Sequence, residues 1–223
     1  MEIKEVVATA EKEIKLNAKV SNIFTESLPV DPEKATFPRQ VHKACYSETY
    51  PIETSHPAMI HFNEDLAEEL NLGSENPDDL LQLLSGNANL DGFVPYAMCY
   101  GGHQFGTWAG QLGDGRAINV AEVEGKSGVQ TLQLKGAGMT PYSRTADGLA
   151  VLRSSIREYL MSEAMFHLGI PTTRALSLVL TGDEVLRDVM YNGNPAYEKG
   201  AIVCRVAPSF IRFGNFEIFA SRN

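Results

Sequence analysis

The chain has 223 residues, of which 43% are hydrophobic and 21% are charged, and its formal net charge is −9. This length and composition allow one globular domain or two small ones, and the negative charge argues against a nucleic-acid partner. No apolar run approaches the roughly 18 residues of a membrane span, and the acidic N-terminus lacks the features of a signal or transit peptide, so we expect a cytoplasmic protein without a membrane partner.

The charge is unevenly distributed along the chain. Residues 1–100 hold 7 basic and 17 acidic side chains, whereas residues 101–223 hold 12 and 11, including nine of the ten arginines. The rigid fork of arginine suits bidentate contacts with phosphate. The second part of the chain is therefore the better place for a small polyanionic ligand.

The N-terminal part is expected to contain little regular structure. Residues 1–20 are compatible with a short amphipathic helix and equally with a loosely attached arm. Five prolines between residues 22 and 57 interrupt every helical or strand pattern. This spacing predicts an extended segment that wraps over the surface of the domain.

Two scaffold helices are predicted next. Asn63 can cap the first, which Gly73 would end, and the Asn76-Pro77 pair begins the second, which ends at Gly86. Asparagine is a preferred N-cap, proline is favoured in the first turn, and glycine ends helices because it adopts positive φ.

Residues 101–138 carry the least ordinary chemistry of the chain. A glycine-dense loop holds Gly113, Asp114, Gly115 and Arg116 and is followed by two short apolar runs joined by residues 125–128. Such runs, with a glycine at each end of a four-residue turn, predict an antiparallel hairpin.

Alternation along the second run separates two faces of that strand. Leu132 and Leu134 share one face, while Gln133 and Lys135 share the polar one, so the lysine is expected to point away from the apolar layer. A glycine loop followed one strand later by an ammonium group suits a phosphate ligand. An ordinary hairpin with a solvated lysine remains the alternative.

Two sharper motifs fail in this region. Arg116 and Ala117 stand where a P-loop requires Lys and Ser or Thr, and residues 101–106 lack the glycine spacing of a dinucleotide fingerprint. What remains is the order strand, glycine loop, strand, turn and strand with lysine. Protein kinases use this order to grip ATP phosphates.

A helix is predicted over residues 152–168. Apolar residues recur every four positions, at 152, 156, 160, 164 and 168, which predicts one buried stripe. Glu158 lies off this stripe. The pair Ser155 and Glu158 matches a capping box, in which the glutamate would only close the start of the helix.

Strands are predicted at residues 175–181, 184–190 and 200–207. Gly182-Asp183 would form a tight turn between the first two, and residues 192–195 would form a loop.

Three segments together resemble the selenoprotein-O family of protein adenylyltransferases, and the similarity extends over roughly residues 22–219. They read GHQFGTWAGQLGDGRA, LQLKGAGMTPYSRTADGLAVLRSSIREYLMSEAM and LGIPTTRALSLV. Members of this family have a protein-kinase-like fold, bind ATP turned around relative to kinases, and transfer AMP to protein hydroxyls.

The resemblance implies an α+β fold. It consists of a kinase-like N-lobe, an antiparallel sheet with an αC-type helix against it, over residues 96–223. An N-terminal arm over residues 1–21 and an extended and helical segment over residues 22–95 would precede the lobe, and the C-lobe would be absent.

The resemblance also assigns roles to individual residues. Lys135 is similar to the kinase strand lysine, and Glu158 to the helix glutamate that pairs with it, which replaces the capping-box interpretation. The other residues implied to bind the nucleotide are those of the glycine loop, a second turn and an arginine pair: Gly113, Gly115, Arg116, Asp147, Gly148, Arg205 and Arg212.

The implied activity is transfer of AMP from ATP to Ser, Thr or Tyr hydroxyls of protein substrates, with Mg²⁺ or Mn²⁺ as cofactor. In the family, the general base and the metal ligands lie in a C-terminal lobe. We therefore expect them beyond Asn223, no catalytic or metal residue within residues 1–223, and a segment that is inactive alone. A non-catalytic, ATP-binding pseudokinase module is the alternative, and transfer of the γ-phosphate ranks below both.

Overall fold

The structure, a computed structural model, describes residues 12–222. These residues form a mixed α/β structure. Its strands are β1 (Glu13–Ile14), β2 (Tyr46–Glu48), β3 (Ala58–Phe62), β4 (Asn89–Leu90), β5 (Tyr96–Met98), β6 (Gly101–Gln104), β7 (Thr107–Gln111), β8 (Ala117–Gly125), β9 (Gly128–Lys135), β10 (Arg174–Arg187) and β11 (Ala196–Ala207). Its helices are α1 (Ile23–Ser27), α2 (Glu64–Glu69), α3 (Pro77–Ser85), α4 (Leu152–His167) and α5 (Phe213–Ala220). None of these helices has the length and apolar character needed to cross a membrane.

One seven-stranded antiparallel sheet organises the fold. Its strand order is β2-β5-β8-β9-β11-β10-β3, so strands distant in sequence lie side by side. Two small additions flank it: β1 pairs in parallel with β4, and β6 forms a hairpin with β7. The sheet places the end of β9 between β8 and β11, where Lys135 lies opposite Ala117 and Val203.

The main hydrophobic core covers one face of the sheet. Leu132 and Leu134 of β9 are completely buried there, together with Leu83 and Leu84 of α3. The alternation predicted for β9 is therefore confirmed. Gln133 lies on the opposite face and is also buried, because Arg205 and Asp114 cover it from neighbouring segments.

The two scaffold helices begin as predicted. The Asn63 side chain accepts a hydrogen bond from the Leu66 N–H at 3.1 Å, and Asn76 accepts one from the Asp78 N–H at 2.8 Å. Gly86 ends α3 with φ of 85°, a conformation in which glycine is favoured. Both caps satisfy N–H groups that have no partner within the helix.

Both interpretations of residues 1–20 are wrong for the part that the structure describes. Residues 12–20 contain no helix, and Glu13–Ile14 form the short strand β1. This segment is also firmly attached, because the Glu75 carboxylate accepts hydrogen bonds from the N–H groups of Asn17 and Ala18 at 2.7 and 2.9 Å. Residues 1–11 lie outside the described residues.

The segment from residue 22 to residue 57 is less uniform than predicted. It contains the short helix α1 and the edge strand β2, separated by irregular chain. The Asp31 carboxylate, bonded to Arg39 at 2.6 Å and to the Ser47 hydroxyl at 2.8 Å, ties this irregular chain together.

A single long strand replaces the two strands predicted between residues 175 and 190. β10 continues through Gly182, and the ladder with β11 shifts register between Leu180 and Glu184. The predicted tight turn is therefore a strand irregularity, with Gly182 at φ of 84°. Gly182 marks a bulge and not a turn, because β10 pairs with β11 both before Gly182 and after it.

The apolar stripe predicted for α4 faces outward, which contradicts its expected burial. The exposed fractions of Ile156, Leu160 and Leu168 are 38%, 60% and 74%. Ser155 and Tyr159 are the buried residues of this helix. The helix turns a polar face to the sheet because the sheet presents polar groups there, as described below.

The capping box at the start of α4 is wrong. The helix begins at Leu152 and Val151 occupies the N-cap position, so Ser155 lies inside the first turn and is not the cap. Glu158 is consequently free to use its carboxylate elsewhere.

The different burial of two leucines gives a direct test of this architecture. We expect Leu134→Ala to lower the free energy of unfolding by about 2–5 kcal/mol, because it leaves a cavity in the core. The same change at Leu160, which is 60% exposed, should alter it by less than about 0.5 kcal/mol. Urea denaturation of both variants measures this. A Leu160→Ala variant as unstable as Leu134→Ala would contradict the outward orientation of the stripe.

Candidate functional site

A polar cavity of about 820 Å³ opens between the glycine loop, residues 142–149 and the ends of β9 and β11. All eight residues predicted to bind the nucleotide line this cavity: Gly113, Gly115, Arg116, Lys135, Asp147, Gly148, Arg205 and Arg212. Glu158 lies behind Lys135, on the wall of an adjacent cavity that Arg116 and Lys135 also line. The structure therefore brings together residues that are up to 99 positions apart in sequence, Gly113 and Arg212 among them.

Glu158 joins two cations of the cavity. Its Oε2 lies 2.5 Å from Lys135 Nζ, and its Oε1 lies 3.6 Å from Arg205 Nη1. The predicted ion pair between Lys135 and Glu158 is thus confirmed. Burial lowers the pKa of Lys135, an effect that Glu158 opposes and that the neighbouring Arg205 and Arg116 reinforce. Glu158 therefore favours the charged form of this ammonium.

Arg205 approaches the cavity from β11. Its Nη2 donates a hydrogen bond to the Gln133 side chain, directly across the ladder between β11 and β9. Its Nε is buried and has no hydrogen-bond partner among residues 12–222. Burial lowers the pKa of Arg205, and the nearby carboxylates Glu158 and Asp114 oppose this shift.

Arg212 lies at the start of α5. Its guanidinium stacks 4.5 Å from the centre of the Tyr100 ring, and its backbone N–H donates to Asn215 Oδ1 at 2.8 Å. A cation over an aromatic face is stabilised by the ring quadrupole. Arg212 is thus oriented toward the cavity without a carboxylate partner among the described residues.

Asp114 supports the glycine loop from below. Its Oδ2 accepts hydrogen bonds from the Met98 N–H at 3.1 Å and from Gln133 Nε2 at 3.4 Å. Burial raises its pKa to about 6, although the Met98 N–H, Arg212 and Arg205 act in the opposite direction. The Asp114 carboxylate is therefore a buried group that is bonded to the Met98 backbone and lies near Arg205 and Arg212.

Close contacts explain the glycines of this loop. A Cβ at Gly113 would lie 2.3 Å from the Tyr142 ring, and a Cβ at Gly115 would lie 2.9 Å from the Tyr142 carbonyl oxygen. The Ser143 hydroxyl donates to the Gly115 carbonyl at 2.5 Å, and the Thr140 hydroxyl donates to the Asp114 carbonyl at 2.7 Å. The loop is held by residues 140–143, so its exposed side can face a ligand.

Asp147 is already paired. Its carboxylate accepts two hydrogen bonds from Arg187, at 2.7 and 2.8 Å. Burial acts to raise the pKa of Asp147, but Arg187 outweighs it and the pKa is lowered. Gly148 follows with φ of 76°, and a Cβ there would lie 2.0 Å from the Gly138 carbonyl oxygen. This turn is a fixed wall of the cavity.

Comparison with known proteins identifies the family. A family model described as "Protein adenylyltransferase SelO" matches residues 35–223. The chain belongs to the SelO family. It is 61% identical over 209 residues to the protein nucleotidyltransferase YdiU of Flavobacterium johnsoniae, covering 93% of this chain and 40% of that one.

Other relatives carry the same description. The YdiU protein of Rhodopirellula baltica is 63% identical over 204 residues, covering 90% of this chain and 38% of its own. That of Methylobacillus flagellatus is 60% identical over 205 residues, covering 91% and 40%. This SelO-family chain therefore spans about 40% of the length of the curated relatives that it matches.

Sequence reasoning missed two arginines of the cavity. Arg144 and Arg187 line it, and the Arg144 side chain reaches Gln104 of the β6-β7 hairpin at 3.4 Å. The concentration of arginines after residue 100 was the available signal. It could not select these two, because Arg187 reaches Asp147 only through the folding of β10 beside residues 147–149.

The residues present do not fit a divalent metal ion. Magnesium and manganese require carboxylate oxygens that are free to coordinate. The three carboxylates at or beside the cavity are all engaged: Asp114 with Met98, Asp147 with Arg187, and Glu158 with Lys135. Residues 12–222 also contain no group of three or more His, Cys, Asp or Glu side chains placed to hold a metal.

Gly113 of the glycine loop and Gly110 of the preceding strand β7 allow a matched test of the close contact with Tyr142. Gly113 and Gly110 have similar φ values, 66° and 71°, but a Cβ at Gly110 would meet nothing within 4 Å. Both alanine variants should lose roughly 1–2 kcal/mol of stability from the left-handed backbone. Gly113→Ala should lose about 1–3 kcal/mol more from the clash with the Tyr142 ring. Chemical denaturation that gives equal losses would contradict the role assigned to this contact.

The raised pKa of Asp114 predicts how stability depends on pH. The folded carboxyl, with a pKa of about 6 against the ordinary 3.8 of an aspartate, binds its proton more tightly than the unfolded one. Its contribution to stability therefore falls as the pH rises through this interval, by on the order of 3 kcal/mol. We expect the free energy of unfolding of Asp114→Asn to decrease less over that interval than the wild-type value. Parallel denaturation curves at both ends of the interval measure it, and identical pH profiles would contradict the prediction.

Proposed function

We propose that this chain supplies the nucleotide-binding lobe of a protein adenylyltransferase, which transfers AMP from ATP to Ser, Thr or Tyr hydroxyls of protein substrates. The observation that carries this proposal is the convergence of all eight predicted nucleotide residues on one cavity, with Glu158 paired to Lys135 behind them. Family membership supports the same reaction class.

The charge of the cavity suits a triphosphate. Six cationic side chains line it: Arg116, Lys135, Arg144, Arg187, Arg205 and Arg212. Arg116, Arg144 and Arg212 have no carboxylate within ion-pair distance in the described part of the chain. A polyanion that enters would find donors without displacing existing ion pairs, so its binding is favoured.

The proposed fold of residues 96–223 is a kinase-like N-lobe. Its support is the order of elements: a glycine loop before β8, a lysine at the end of β9, a glutamate on α4 and then two more antiparallel strands. In kinases, the strand lysine pairs with the αC glutamate and contacts the phosphates. We assign Lys135 and Glu158 these roles.

The nucleotide orientation in this proposal is the reversed one that the family resemblance implies. We propose that the phosphates lie against Lys135, Arg205 and Arg212. The base would lie toward the turn at Gly148, where Arg187 already neutralises the carboxylate of Asp147. A substrate oxygen would attack the α-phosphorus, forming a P–O bond as the bond to the β-phosphate oxygen breaks and pyrophosphate leaves. The arginines would stabilise the charge on the departing pyrophosphate.

A pseudokinase module that binds ATP without catalysis is the alternative. The engagement of all three carboxylates at the cavity favours it, because transfer needs a metal ion and a general base. In the adenylyltransferase proposal both come from a further part of the family chain, so binding is expected from this chain alone and transfer is not.

ATP binding by the chain tests the proposed site. We expect weak binding that Mg²⁺ does not strengthen and that weakens at high salt, because charges in an open cavity are screened over about 10 Å at 0.1 M salt. Lys135→Met should weaken it by roughly tenfold or more through loss of a charge-assisted contact. Lys126→Met, at the exposed turn of the same hairpin, is the matched control and should bind as the wild type does.

Calorimetric titration of ATP at two salt concentrations provides these values. Equal binding by the Lys135 and Lys126 variants would contradict the proposed site. A second experiment distinguishes AMP transfer from phosphate transfer. A family protein as long as the relatives named above is incubated with a protein acceptor and with ATP labelled at the α- or the γ-phosphate. Label transferred from the α-phosphate supports AMP transfer, label from the γ-phosphate indicates a kinase, and no transfer favours the pseudokinase alternative.

A further inference from the structure

Helix α4 is attached to the sheet mainly by polar contacts. Its buried residues are Ser155 and Tyr159, and its apolar stripe faces outward. Tyr159 and the partly buried Leu152 form only a small cluster with residues of β10 and β11. Burial of apolar surface therefore contributes little to the placement of the helix, and its polar contacts determine where Glu158 lies.

Among these polar contacts, Glu163 accepts hydrogen bonds from three residues outside the helix. Its Oε1 accepts hydrogen bonds from Arg174 Nε at 3.0 Å and from the Ala175 N–H at 2.9 Å. Its Oε2 accepts from Arg174 Nη2 at 2.8 Å and from Asn63 Nδ2 at 2.8 Å. The Glu163 and Arg174 side chains are only 14% and 11% exposed, so water competes little for this pair.

The partners of Glu163 are themselves fixed. Asn63 caps α2, and its backbone N–H donates to the Leu176 carbonyl at 2.8 Å. Arg174 begins β10, and its guanidinium lies 3.5 Å from the centre of the Phe166 ring. The carboxylate of Glu163 thus connects α4 to the start of β10 and to the start of α2.

Glu163 lies close enough to Glu158 to control its position. The two residues are five positions apart on one continuous helix, which corresponds to about 7.5 Å along its axis. An α-helix moves as a unit over this distance. Release of the Glu163 end would therefore shift Glu158 relative to Lys135, whose pairing distance is 2.5 Å.

We propose that Glu163 is a positioning residue of the nucleotide site: with Arg174 and Asn63 it holds α4 where Glu158 reaches Lys135. Glu163 lies outside the cavity and acts only through Glu158. Its effect on ATP binding rests on the proposed function, whereas its effect on Lys135 does not.

Three variants and a control test this role. Glu163→Gln removes the charge while keeping the shape, and Glu163→Asp keeps the charge on a side chain one carbon shorter. Glu198→Gln is the matched control, because Glu198 also binds α4, through Arg153 at 2.6 and 3.0 Å, but the Arg153 side chain is 51% exposed. Glu158→Gln removes the group through which Glu163 is proposed to act. Circular dichroism at the assay temperature establishes that each variant is folded.

The first measurement is the pKa of Lys135. It is obtained by monitoring the ¹³Cε chemical shift of Lys135 as the pH changes, and this signal is assigned by its absence from the spectrum of Lys135→Met. We expect Glu163→Gln to lower this pKa, because Glu158 withdraws while burial and the neighbouring Arg205 and Arg116 continue to depress it. Glu163→Asp should lower the pKa of Lys135 less than Glu163→Gln does, and Glu198→Gln should leave this pKa unchanged. An unchanged Lys135 pKa in a folded Glu163→Gln variant would overturn the proposal, since a merely structural role lowers stability without affecting this titration.

The second measurement is a double-mutant cycle on ATP affinity. Glu158→Gln and Glu163→Gln should each weaken binding, the latter by about tenfold or less. Glu163→Gln should cause no further loss in the Glu158→Gln background, because both changes remove the same interaction. Independent, additive losses would overturn the proposal. If the wild type binds no ATP, the proposed function fails, and the Lys135 titration still decides the role of Glu163.

Discussion

The interaction on which the site depends is the contact of one carboxylate with two partly buried cations. Glu158 is within ion-pair distance of both Lys135 and Arg205, which reach it from adjacent strands. Bringing an ammonium and a guanidinium together under partial burial is unfavourable unless an anion lies between them. Glu158 provides that anion from a helix, so the sheet and α4 are electrostatically joined at the wall of the cavity.

The opposite side of the cavity is organised by close backbone contact. Gly113 and Gly115 lie against Tyr142 with no room for a side chain, and hydroxyls of residues 140–143 bind the loop carbonyls. Asp114, between them, is buried and accepts a hydrogen bond from the Met98 N–H, whereas the backbone of the two glycines and Arg116 line the cavity beside it. A rigid loop with few free anions suits a phosphate ligand because little reorganisation is needed on binding.

The placement of α4 shows how an apolar pattern can mislead. Its period of four identified a helix and an apolar face, and both exist. The pattern contains no information on which layer covers that face. Three polar residues of the sheet, Lys135, Arg174 and His61, face the helix. They pair with Glu158, Glu163 and the Tyr159 hydroxyl respectively, and this hydroxyl lies 2.8 Å from His61 Nδ1. Unsatisfied buried charges are more costly than exposed leucines, so the polar face turns inward.

The sequence by itself determined the local features: the caps at Asn63 and Asn76, the alternation along β9, and, through its family motifs, a set of residues that line one cavity. These depend on neighbouring residues or on recognisable strings. Only the tertiary structure decided the continuity of β10 through Gly182, the pairing of Asp147 with Arg187, and the orientation of α4. Each of these joins residues that are distant in the chain, and the balance of burial and charge that selects them exists only when the segments meet.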